Sequence, residues 1–276
     1  MRLSSKKNSR RGVILIITLW LLAALALLAL GLAYRLRLEG KVMSYRKSRH
    51  LMLELARSAV SIAGARLERM DSQITHYGQA WARPIVLDEV YFADLAPAYL
   101  ERYRVEALVF DELSKLNINV VARGQLMHTP GIEEAVSGAI IDWRDENDVP
   151  VDFGAEQTYY ASLSPPYFCK NAPLSDLWEL LLLKGVTSEL FSGSGEGVLV
   201  SANDPHWQYV QSDFVDYLTT SGQGYVNLNT AGIDVLSAVP GIQPEMADSI
   251  VSVRRGIDGL ERTADDRGFE GFDDLF

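Results

Sequence analysis

A run of 21 residues, 13–33, carries no charged side chain, and Thr18 is its only polar one. At ~1.5 Å of rise per residue, a helix of this length spans ~30 Å, the thickness of a bilayer's hydrocarbon core. A buried core helix rarely stays apolar on every side for so long. A secretory signal peptide competes, with Ala-rich sequence near Ala33 as its cleavage site, but its apolar region is usually only ~7–15 residues. The segment reads as a membrane helix that stays in the mature chain.

Charge is segregated around this anchor. Residues 1–70 carry 14 basic and 3 acidic side chains, a net of +11, whereas residues 71–276 carry 12 and 33, a net of -21. The overall -10 describes neither part, and the two face different surroundings. Arg2, Lys6, Lys7, Arg10 and Arg11 precede the apolar run; Arg35, Arg37, Lys41, Arg46, Lys47 and Arg49 follow it. The positive-inside rule is nearly tied, and the short first group, undiluted by acids, tips it towards a cytoplasmic N-terminus. Beyond the membrane Leu51, Leu55, Ala59, Ile62, Ala63, Leu67 and Met70 keep helical spacing, and no proline occurs before Pro84. One helix from about Val13 to about Met70 is expected, its outer half laying an apolar stripe on a soluble domain.

The acidic part contains a duplication at an offset of 110 residues. Asn117, Asn119, Leu126, Pro130, Gly131, Ile132, Ile140 and Arg144 recur as Asn227, Asn229, Leu236, Pro240, Gly241, Ile242, Ile250 and Arg254. Each copy reads as a short strand ending in Asn-X-Asn, a helix closing at Pro-Gly-Ile, and a second amphipathic helix. That is a helix–hairpin–helix unit, with glycine making the tight turn. Lys184-Gly185 after an expected helix at 177–183 suggests a partial third hairpin, and residues 272–275 echo 174–177. Residues 84–92 and 101–110 are strand-like, and with 116–119 and 225–229 they are expected to form one small antiparallel sheet. The stretch between the last two strands then becomes an inserted helical domain. Residues 192–197 (SGSGEG) lack the Lys-Ser/Thr of a phosphate loop and read as a flexible connection.

Such hairpins often bind DNA phosphate, but Glu133, Glu134, Asp234, Glu245 and Asp248 surround them, and only Arg254 and Arg255 offer a basic pair. A surface of net -21 repels a polyanion, so nucleic acid is an unfavoured partner. One cysteine, Cys169, excludes an intrachain disulfide, and four scattered histidines (50, 76, 128 and 206) argue against a histidine metal centre. No nucleophile–base or metalloprotease motif is present, so the chain is read as no enzyme.

The sequence Arg10-Arg11-Gly12 before the apolar helix resembles a type IV prepilin cleavage site. Residues 140–167 (IIDWRDENDVPVDFGAEQTYYASLSPPY), 171–187 and 226–242 closely resemble the type II secretion minor pseudopilin K (GspK) family, over nearly the whole chain. The resemblance implies an α+β fold. A long pilin-like N-terminal helix packs on a small antiparallel sheet, with an inserted all-α domain of helix–hairpin–helix-like units. The implied parts are a leader at 1–12, a transmembrane helix at 13–34, the helix continuation and first sheet strands at 35–119, an inserted domain at 120–215, and the sheet return with the second hairpin at 216–276. It further implies cleavage between Gly12 and Val13 by prepilin peptidase. The expected placement is single-pass in the bacterial inner membrane, with the N-terminus cytoplasmic and the C-terminal part periplasmic. The expected role is at the pseudopilus tip, with pseudopilins I and J and the inner-membrane platform as partners. The glutamate usual at the fifth mature position is Ile17 in this chain, as is typical of the K pseudopilin. Some family members bind calcium in the inserted domain. Asp142, Asp145, Glu146, Asp148, Asp152 and Glu156 form the densest acidic run, without EF-hand spacing, and are the candidate Ca2+ ligands or else a solvated acidic loop. The alternative function is a membrane-anchored, competence-type DNA receptor built on the hairpins.

Overall fold

The computed structural model describes residues 9–70, 73–87, 105–192 and 214–271. Contacts divide the chain into two compact units, Met1–Ser58 and Ala59–Phe276. A single helix, α1 (Ser9–Glu68), contains the apolar run, which has no buried part. It ends two residues before the expected Met70, whose amide closes the last turn on the Leu67 carbonyl (3.0 Å).

The second unit begins with the last turns of α1. Ala59, Ile62 and Ala63 pack on the antiparallel pair β1 (Ile85–Leu87) and β2 (Val105–Ala107). Leu67 stays largely exposed, so the packed stripe is narrower than its spacing implied. Arg66 fixes the helix end by donating to the carbonyls of Arg83 (2.9 Å) and Ala80 (3.4 Å).

A second two-stranded sheet joins β3 (Leu116–Asn117) to β4 (Leu218–Thr219) in parallel register, Leu116 opposite Leu218. The expected single antiparallel sheet is therefore two separate pairs among the described residues, and residues 225–229 pair in neither. Of the expected strands, 88–92, 101–104 and the loop 193–197 lie outside the described residues. A parallel pair needs a long crossover, and the hundred residues between β3 and β4 supply it.

That crossover holds α2 (Arg123–Leu126), α3 (Glu134–Arg144), α4 (Gln157–Ala161), a 3-10 turn at Leu177–Leu182 and α5 (Ser188–Ser192). After β4 come α6 (Ile233–Ser237) and α7 (Pro244–Arg254). One apolar core runs through both stretches, from Leu116 and Trp143 to Leu236 and Val251. Asp111, just past β2, ties the second stretch to the first sheet by accepting from Asn227 (2.8 Å) and Thr230 (2.7 Å).

Candidate functional site

The hairpins fold as the duplication requires. Gly131, Gly185 and Gly241 have φ of 82°, 84° and 92°. At each, the residue after the glycine donates back to a carbonyl: Ile132 to Thr129, Val186 to Leu183 and Ile242 to Val239, at 3.1–3.2 Å. Only glycine reaches this region freely, so the Gly of Pro130-Gly131 and Pro240-Gly241 is set by backbone geometry.

The other repeated residues keep the same contacts twice. Asn117 and Asn227 each accept from the amide two residues on, at 2.9 and 3.0 Å. Asn119 pairs through both amide atoms with the Leu174 backbone, and Asn229 does so with Phe269, at 2.7–3.0 Å. The structural twin of Leu174 is thus Phe269, three residues before the echo at 272–275, which lies outside the described residues. Arg144 donates to the Ile118 and Val121 carbonyls, and Arg254 to that of Leu228. The basic pair considered for DNA is spent on this packing. Arg254 is buried, and both Arg254 and Arg255 pair with Glu261.

In the first copy, the end of α3 faces the acidic loop. One oxygen from each of Asp142, Asp145 and Glu156 lies within 4.8 Å of the others. Asp142 is fully buried and accepts from the Val151 amide (3.0 Å), while its Oδ2 has no partner. Glu156, just before α4, is 4% exposed, and neither of its carboxylate oxygens is hydrogen-bonded. Asp145 caps the Asn147 amide (3.0 Å). Burial, then the charges of Asp142 and Asp145, pushes the Glu156 pKa up to about 7; burial also raises that of Asp142. Gly154 admits this arrangement, since a Cβ there would lie 2.0 Å from Asp142 Oδ2.

Three of the six acidic candidates therefore come together. Glu146 and Asp152 are exposed, and Asp148 accepts from Asn171 (2.9 Å), so these belong to a solvated loop. The three clustered carboxylates present hard oxygen donors, two of them buried without adequate partners, which suits a divalent cation. Cys169 lies beside them, its sulfur 3.9 Å from the Asp142 carbonyl, and burial raises its thiol pKa to about 11. Lys184 and Arg123, which sequence reading left unassigned, hold the loop's shape. They donate to the carbonyls of Phe153 and Gly154, and of Asp152. At the other end of the chain, Gly12 and Val13 lie within α1, and Val13 and Ile17 are exposed on it.

Residues 101–193 match the family "Type II secretion system (T2SS), protein K", and residues 221–265 match the helix-hairpin-helix motif. The chain is 27% identical over 289 residues to type II secretion system protein K of Pseudomonas aeruginosa, covering 94% of this chain and 76% of that protein. It is 28% identical over 202 residues to protein K of Klebsiella pneumoniae, covering 67% of this chain and 60% of that protein's length. It also shares its fold with a chain in the crystal structure of the GspK-GspI-GspJ complex from enterotoxigenic Escherichia coli. There the TM-score is 0.51 at 15% identity, over 84% of this chain and 76% of that one.

Proposed function

The chain belongs to the type II secretion system protein K family, and from that premise we propose that it works as a non-enzymatic minor pseudopilin at the pseudopilus tip. There it nucleates assembly with pseudopilins I and J for protein export. The observation that carries this reading is α1 itself. Its apolar part follows Arg10-Arg11-Gly12 and bears an isoleucine, Ile17, five residues past the cleavage point. A carboxylate at that depth needs a charged partner, and the N-terminal amine of the subunit ahead would supply it. A tip subunit has none ahead, and an uncharged side chain suits it. The test is purification of the full chain from detergent-solubilised membranes that also contain pseudopilins I and J. Co-purification of both supports the tip reading; loss of both, with strong salt-sensitive binding to duplex DNA, favours the hairpin receptor instead.

Processing after Gly12 has its own measurement. Replacing Gly12 with leucine should leave the leader attached, seen as an unshifted intact mass; a mature N-terminus near Ala33 in the native chain would mean signal-peptide cleavage.

Calcium is proposed for Asp142, Asp145 and Glu156. Bound there, it would neutralise the buried carboxylates and tie the end of α3 to the start of α4. At ~100 times its dissociation constant the ion should add ~2.7 kcal/mol of stability. For a domain of this size that is roughly 5–10 °C in Tm. Glu156→Gln should remove most of the calcium-dependent rise, and a Tm indifferent to calcium in the native chain would discard the site.

A further inference from the structure

The duplication supplies an internal control for what each hairpin's second helix has to bury. Twins on the inner face behave alike: Ser137 and Ala247, and Ile140 and Ile250, are buried in both copies. The outer face does not. On α3, Val136 and Trp143 are 4% and 3% exposed. They are covered by the chain that follows. The Trp143 ring meets Tyr160 and Tyr167 at 5.1 and 6.4 Å, its Nε1 donates to Glu179, and Gly185 stands against Val136. Leu174, Leu180 and Leu183 complete the same core. On α7 the twins are Met246 and Val253, and these are 44% and 53% exposed. Ser249 between them, the twin of buried Ala139, is also exposed. Four residues past Val253, Ile257 is 91% exposed. It stands on a turn held by Asp265, which accepts from the amides of Ile257 (2.7 Å) and Asp258 (3.1 Å).

Isolated exposed apolar residues are ordinary on protein surfaces. A pair on the face whose twin is core, with a third apolar side chain on the braced turn that follows the helix, is a surface of another kind. We infer that the outer face of α7, through Met246 and Val253, together with Ile257 on the turn that follows, is the docking site for a leucine-rich helical segment of another protein, flanked by Lys or Arg. The apolar chemistry of that occupant follows from the first copy, where tyrosine and leucines fill the equivalent face. Its charge follows from the neighbouring acids: Glu245, next to Met246, and Asp258, next to Ile257, are both exposed. A second copy of this chain would set those acids against each other, so a basic partner is favoured over self-association. This assignment goes beyond the tip reading and holds whichever subunit supplies the segment.

The test places the photo-crosslinking amino acid benzoylphenylalanine at Met246 or Val253 of the full chain, in bacteria carrying a complete type II secretion system. An exposed control position is Glu133. Crosslinked segments are then sequenced by mass spectrometry. The inference expects both positions to give one product with another protein, mapped to a segment with leucines at helical spacing and neighbouring Lys or Arg. Asp at the other position (Val253→Asp or Met246→Asp) should lower its yield at least tenfold with Tm unchanged, since these side chains are exposed. Crosslinks to residues 272–276 of the same chain, to a second copy, to a segment of other chemistry, or at no more than the Glu133 level would each overturn it.

Discussion

Arg262 shows what a single side chain does in joining distant parts of this fold. Its backbone takes φ of 67°, and its guanidinium stacks between the rings of Tyr77 (4.5 Å) and Phe110 (4.7 Å). It also donates to the carbonyls of Ala82 (3.1 Å) and Val109 (2.8 Å), fastening the end of the second hairpin beside the first sheet. A planar cation with several fixed donors suits both tasks, and lysine does not. Arg262→Ala should cost about 2–4 kcal/mol in urea denaturation, and Arg262→Lys should recover less than half of it. His76 gives a pH prediction. Its Nδ1 is buried without a partner, Gly268 abuts the ring, and burial lowers its pKa below 6.5. The neutral ring is the folded form, so its contribution is fully present above pH 6.5 and is lost as pH falls through the folded pKa. Glu156, with its raised pKa, acts in the opposite sense, so the measurement is a difference. The stability gap between the native chain and His76→Gln should shrink as pH falls from 7.5 to 5. Arg144, Arg254 and the paired asparagines were legible in the sequence because duplication repeats a residue wherever it repeats a contact. Arg262 was not, because its partners lie some 150 to 190 positions away and the duplication gives it no twin.

At the level of elements, two glycines separate backbone constraint from crowding. Gly241 has φ of 92° and open space where a Cβ would go. Gly241→Ala should therefore cost only the left-handed conformation, about 1–2 kcal/mol, read from the urea midpoint. Gly154→Ala drives a methyl group onto Asp142 Oδ2 and should cost more, and it should abolish any calcium-dependent rise in Tm while Gly241→Ala leaves that rise intact. The hairpins were readable because helix, Pro-Gly and helix are local signals. The sheets were read only in part. β1 and β2 fall within the expected strands, yet β4 is Leu218–Thr219 rather than the more strand-like 225–229. A two-residue strand carries no alternation, and its parallel partner lies a hundred residues away, so only tertiary packing identifies it. The acidic cluster was half legible for a similar reason. Sequence density marked six candidates, but which three converge depends on how α3 ends and where Gly154 lets the loop cross. Nor does apolar content tell the outer faces of α3 and α7 apart, since Val136 and Met246 are both hydrophobic; what differs is the chain that follows.

The whole molecule is set by one asymmetry, a net of +11 in residues 1–70 and -21 beyond them. Orientation of the membrane segment depends on Lys and Arg close to its ends, and acidic residues contribute little. Five basic residues before the apolar run face six after it within 16 residues, and only Glu39 intervenes, paired with Arg35 at 3.2 Å. With the counts so close, the expectation of a cytoplasmic N-terminus rests on the compactness of the first group. Removing two of its charges, by Lys6→Gln with Lys7→Gln, should leave a measurable fraction of chains inverted. Alkaline phosphatase fused after residue 276, with the acidic domain kept, reads this directly, since it is active only in the periplasm. Activity should fall in the double variant and return when Arg35 and Arg37 are also made glutamine, because the difference across the membrane is then restored. A fusion equally active in all three chains would mean that the acidic domain, not the basic flanks, determines which end is exported.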